Sequence, residues 1–139
     1  MSFSATFKRF FTPQEANGLL PEVRRLVSRM RTLVQEVQRA DLILEIAESD
    51  ELRSDAYSQL EEHRYRINRI RADLRRQGIE VNGVDPLRVT FPALRNGQEV
   101  VLCWHEGERA VRSWRHIHPD VHYRHALEPG RSGVWEWFN

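Results

Sequence analysis

The chain has 139 residues, 40% hydrophobic and 29% charged, with a formal net charge of +1. This size and balance describe one domain, 1–139, around a single hydrophobic core, and they exclude a disordered chain. Near-neutrality excludes partner choice by bulk charge, and no stretch approaches the ~18 consecutive apolar residues of a membrane span.

The opening "MSFSATFKRFF" has neither an apolar signal region nor a small-residue cleavage pattern, so a cytoplasmic protein with no membrane partner is expected. The lone Cys103 cannot form an internal disulfide, which agrees with a reducing compartment.

"FTPQEANGLLP" then carries a helix start. Thr12 can cap the free amides, Pro13 suits the first helical position and Glu15 completes a capping box, with Phe11 as the staple. Helix one is expected over 11–49, with a bend or a tight break near Pro21, which lacks an amide proton. Its stripe runs Leu19, Val23, Leu26, Met30, Leu33, Val37, Ala40, Leu44, Ala47, at spacings of four and three.

The polar "ESDELRSD" connection predicts that helix two, 51–77, folds back as a hairpin. Ala56, Leu60, His63, Ile67, Ile70 and Leu74 form its matching stripe, and Gly78 is placed to end it. His63 is expected to be a hydrogen-bonded packing residue.

Charge is unevenly spread along this hairpin. Residues 41–62 hold eight acids against Arg53, whereas residues 64–76 hold six arginines against Asp73. Folding back brings Arg24, Arg25, Arg29 and Arg31 near that second group, giving a basic root and an acidic tip. Such polarity favours head-to-tail self-association or an acidic protein partner at the root. Arg64, Arg71 and Arg75 are the candidate phosphate contacts if the partner is a nucleic acid.

From residue 79 the apolar period changes to two. Leu87, Val89 and Phe91 share one face, and Asn96-Gly97 is a hairpin turn. Val100, Leu102 and Trp104 then face one side, and Val101, Cys103 and His105 the other. "EGE" is a further turn and "RAVRSW" a third strand. The expected fold is α+β: a long antiparallel helical hairpin followed by a small antiparallel three-stranded meander within 79–139. Trp135, Trp137 and Phe138 are expected to close the core or a subunit contact.

"CWHEGERAVRSWRHIHPDVHYRH" holds five of the six histidines and the only cysteine. Cys103, His105, His116 and His118 are candidate zinc ligands, although the spacing matches no known zinc module. His122 and His125 could converge on a turn. A polar or ligand site is expected around Glu106, Glu108, Arg112, His116 and Arg124, with the acids as acceptors and Arg112 or Arg124 holding an anion. Cys103 with His105 or His116 could form a nucleophile–base pair, but no orienting residue or oxyanion-hole loop can be picked out, so a catalytic role is not assigned.

"FTPQEANGLLPEV", "GIEV" and "VTFPALRNGQEVVLCWHEGERAVRSW" resemble an uncharacterised bacterial family, domain of unknown function 2203, whose members are sometimes labelled division-protein-like. The resemblance spans nearly the whole chain and implies a fold without implying a reaction. Members commonly carry aspartate immediately before the Phe-Pro pair and histidine after the second tryptophan. This chain has Thr90 and Arg115 there, so any polar site those two residues serve is altered here. The family's glycine-rich later stretch is replaced by "HPDVHYRHA", with Arg124 at its arginine position.

The leading expectation is a small cytoplasmic binding or assembly protein acting as a homodimer. The alternatives are a nucleic-acid-associated protein using the arginine-rich root, and a metal-dependent enzyme or metal-binding protein using the Cys/His-rich half.

Overall fold

The computed structural model describes residues 9–118, 123–127 and 134–136. Helix α1 spans Pro13–Ile46 and helix α2 spans Asp50–Arg76. The strands are β1 (Glu80–Asn82), β2 (Arg88–Arg95), β3 (Gln98–His105), β4 (Ser113–His116), β5 (His125–Ala126) and β6 (Trp135–Glu136).

The start of α1 is the capping box. Thr12 N–H donates to Glu15 Oε1 at 3.0 Å, and Glu15 N–H donates to Thr12 Oγ1 at 3.1 Å. Phe11, fully buried, donates its amide to the Pro92 carbonyl at 2.7 Å and meets the Phe91 ring edge-to-face at 5.4 Å. The segment before the helix is thereby attached to the sheet. No break occurs at Pro21, and α1 is one helix through that residue. Leu20 and Val23 are both buried, so core packing on either side carries the helix across one missing hydrogen bond.

Ser49 caps α2 by accepting the Leu52 amide at 3.1 Å. Its far end closes with Gly78 at φ +87°, where Gly78 N–H reaches Arg75 O and Ile79 N–H reaches Leu74 O. This is the 6→1 and 5→2 pattern of a Schellman motif, and Ile79 buries itself against the core.

All strand pairs are antiparallel, in the order β1-β2-β3-β4-β5, with β6 also pairing with β2. The β2–β3–β4 meander is expected, but its third strand runs Ser113–His116 rather than 109–114, and three short strands extend the sheet. Asn96 and Gly97, at φ 52° and 79°, form the two-residue turn that sets the β2–β3 register.

Val89, Phe91, Leu102 and Trp104 project from one face onto Leu20, Val23, Val27 and Met30 of α1, with Ile70 and Leu74 of α2 in the same core. Trp135 packs partly buried on this core, while Trp137 and Phe138 lie outside the described residues. The opposite face bears Arg88, Thr90, Cys103, His105 and Arg115. At 1.5 Å per residue the 34 residues of α1 run ~51 Å, but its contribution to the common core ends at Leu33. Beyond that point the helices bury only Ala40, Ala56 and Leu60 between them.

Candidate functional site

Register alone assembles a polar cleft on the outer face of the sheet. Arg88 lies opposite His105 and Thr90 opposite Cys103 across β2 and β3. Arg115 is carried on β4 beside Val101, and Asn82 lies across β1 from Arg88. Arg124 completes a cavity of about 270 Å³. Cys103 and Thr90 are buried in it, at 2% and 9% exposure.

The charges there act on one another. Burial, then Arg124, Arg88 and Arg115, hold the His105 imidazole below its usual pKa, against the opposing pull of Glu108. Burial pushes the Cys103 thiol up, against Arg115 and Arg124, which favour the thiolate. A protonated thiol beside a neutral imidazole is not an activated nucleophile at neutral pH. The chemistry on offer is hydrogen-bond donation and positive charge.

The two turn acids do different jobs. Glu106 accepts hydrogen bonds from Nε and Nη2 of Arg31, at 3.1 and 2.7 Å, and from the Leu87 amide at 3.1 Å. These contacts, led by Arg31, hold its carboxyl below the usual range despite burial. Arg31 also donates to the Val84 carbonyl. Burial pushes Glu108 up, but the paired Arg124 guanidinium at 3.1 and 3.0 Å and the His105 amide at 2.8 Å together leave it depressed.

The turn is also anchored on α1. Asn17 exchanges two hydrogen bonds with the Val111 backbone, at 2.8 and 3.2 Å, and Arg24 donates to the carbonyls of Glu108 and Arg109. A second cavity of about 420 Å³ between α1 and this turn is edged by Arg24, Arg31, Glu106 and Glu108, which are already engaged in these contacts.

The expected polar site is thus only partly assembled. Glu108 and Arg124 pair at the cleft, while Glu106 turns toward α1. Arg112 is exposed and does not line the cavity. His116 lies opposite Val100, on the helix-facing side, so it cannot join Cys103 and His105. It packs instead at 5.1 Å against Trp114, on which His125 stacks at 4.4 Å. His118 is exposed beyond β4, and His122 is outside the described residues.

Cys103, His105, His116 and His118 therefore do not converge as a zinc site, and the described residues contain no group of three or more candidate ligands. The reason is the pleat: odd and even positions of a strand face opposite ways. Thr90 and Arg115, the two departures noted in the sequence, both line the cleft. Sequence reasoning missed Arg88 and Asn82.

On the hairpin, Arg64, Arg71 and Arg75 are seven and four residues apart and share a stripe of α2. Arg75 pairs with Glu80, Arg64 is exposed, and Arg71 is half-buried with its Nε lacking a hydrogen-bond partner among the described residues. His63 is half-buried as expected of a packing residue, and its buried Nδ1 has no hydrogen-bond partner among the described residues. Arg25, Arg66 and Arg76 are paired with Glu22, Glu62 and Asp73. At the tip, only Asp50 and Glu62 of the eight acids hold an ion pair among the described residues.

A family model described as "Uncharacterized conserved protein (DUF2203)" matches residues 9–132. No curated protein and no solved structure gives a significant match. No helix among the described residues is long and apolar enough to cross a membrane.

Proposed function

The chain belongs to the DUF2203 family of uncharacterised conserved proteins, and on that premise we propose that it is a small cytoplasmic binding and assembly protein acting as a homodimer. Its contact surface is the half of the hairpin that stands clear of the sheet, and the occupant is a second copy lying tip to root.

One observation carries this reading: that half combines exposed apolar side chains with an excess of acidic charge. Leu42, Ile46, Leu52 and Tyr57 are each more than half exposed, and two helices alone cannot cover them. Among the described residues only Asp50 and Glu62 of the eight acids in 41–62 hold an ion pair, with Arg53 and Arg66, whereas Arg29 and Arg64 are exposed at the root. An antiparallel neighbour supplies each end with its opposite.

Light scattering after size exclusion tests the reading. A dimer is expected at micromolar concentration. Reversing tip charges (Asp55→Arg with Glu61→Arg) or root charges (Arg64→Glu with Arg75→Glu) should give monomers, and mixing the two variants should restore a heterodimer. A wild-type monomer, or no rescue on mixing, ends the proposal.

The shared stripe of Arg64, Arg71 and Arg75 favours a second reading, a nucleic-acid partner at the root. Retention of a fluorescent duplex at low salt, lost steeply as salt rises, is the result that reading requires.

A further inference from the structure

The outer face of the sheet carries a group of side chains that the assembly reading does not use. Arg88, Arg115 and Arg124 come from separate stretches of chain and line one cleft of about 270 Å³. Glu108 is the carboxylate paired within this group, and it engages Arg124. Neither Arg88 nor Arg115 forms an ion pair among the described residues; Arg115 donates to the His116 carbonyl at 3.2 Å and also engages the Cys103 side chain. Positive charge therefore exceeds negative charge in a concave setting where solvent screening is reduced. Packing does not require this arrangement, since the core lies on the other face of the sheet.

We propose that this cleft binds a phosphate group, either free or carried as a monoester on a small molecule, with Arg88, Arg115 and Arg124 as its cationic donors. Three guanidinium groups brought from separate stretches of chain suit a tetrahedral dianion, which presents oxygens in several directions. A single carboxylate is satisfied by one guanidinium fork. Asn82 and Thr90 add neutral donor groups to the same lining.

Size and composition narrow the ligand further. Small-molecule sites commonly measure about 300–1,000 Å³, so this cleft of about 270 Å³, just below that range, accepts only a compact ligand. Apart from the His105 imidazole its lining has no aromatic ring, and so offers no platform for stacking a nucleobase. The ligand class is phosphate or a compact phosphomonoester.

Bound phosphate has a second consequence. The groups facing His105 are Arg88 from β2, Arg115 from β4, Arg124 before β5, Glu108 from the turn and Cys103 on its own strand. The three guanidiniums disfavour the imidazolium, and a bound anion offsets them. His105 should therefore titrate at higher pH when the site is filled.

Calorimetry and histidine-resolved NMR on the full chain test the proposal at low ionic strength, with inorganic phosphate, phenyl phosphate and succinate as probes. Saturable binding of either phosphate probe is expected, with succinate at least tenfold weaker and the His105 titration moved upward. Binding of inorganic phosphate alone identifies the free ion, and tighter binding of phenyl phosphate identifies a monoester.

Arg88→Gln and Arg115→Gln should each weaken binding about ten- to hundredfold, with melting temperatures near wild type. Arg112→Gln, outside the cleft, should bind normally. Absence of saturable binding, equal losses in all three variants, or succinate binding as tightly as phosphate overturns the proposal. Because the dimer contact lies on the hairpin, both variants should keep the wild-type oligomeric state, so either proposal can fail alone.

Discussion

Glu106 and Glu108 sit two residues apart on either side of Gly107, yet their carboxylates bind arginines in different layers of the molecule. Glu106 takes Arg31 of α1, and Glu108 takes Arg124 beside the outer cleft. Gly107, at φ +99°, makes the reversal between them. One short turn thus joins the helical layer to the open face of the sheet.

Removing the inner half of this joint should cost stability. Glu106→Ala leaves the Arg31 guanidinium and the Leu87 amide without their carboxylate, both partly buried. A loss of about 2 kcal/mol is expected in urea unfolding, while Glu22→Ala, at an exposed pair, should leave the unfolding midpoint near wild type.

Asn17 is the corresponding neutral anchor. Its amide both donates to and accepts from the Val111 backbone, so Asn17→Ala strands a buried peptide group. We expect about 1–3 kcal/mol of destabilisation, with faster amide exchange at Val111 as the local signature.

The outer half predicts a pH response. His105 titrates below its unfolded value, so its contribution is complete above about pH 6.5 and is lost as pH falls through the folded midpoint. Glu106 and Glu108 are also depressed, and their contributions are lost at still lower pH, beginning near about 4.3. Melting temperatures should therefore be flat from neutrality to about pH 8, below the thiol range of Cys103, and fall in two stages on acidification. Glu108→Gln removes a charge that favours imidazolium, so NMR should place His105 lower still. An upward shift in that variant would contradict this electrostatic account.

Core packing makes a separate prediction. Leu102 is fully buried beneath α1, and Leu102→Ala should cost about 2–5 kcal/mol. At the end of α2, Gly78→Ala places a side chain at φ +87°, where its Cβ meets only ordinary contacts. The cost should be the conformational one, about 1 kcal/mol.

Local grammar made much of this protein legible. The Thr12–Glu15 box, the matched four-and-three stripes, the Gly78 stop and the Asn96-Gly97 turn each depend on residues within one turn or strand of each other. Even the Arg88–His105 pairing could have been counted outward from Asn96-Gly97, since a two-residue turn pairs residues symmetrically about itself. Arg88 carries no local signal of its own, in contrast to the histidine-rich stretch from residue 103 to 125. Arg115 could not be counted in this way, because the Glu106–Arg112 segment is too long for its ends to set the β3–β4 register.

The amino-acid order alone therefore determined the hairpin, the meander and the alternation that divides Leu102 from Cys103, because those follow from backbone periods of 3.6 and 2. Tertiary structure alone decided which arginine meets Glu106, that His116 faces the core side, and that Arg88, Arg115 and Arg124 share a cleft. These relations join residues tens of positions apart through packing and strand register. A charged side chain acquires its partner only when the chain has closed around it.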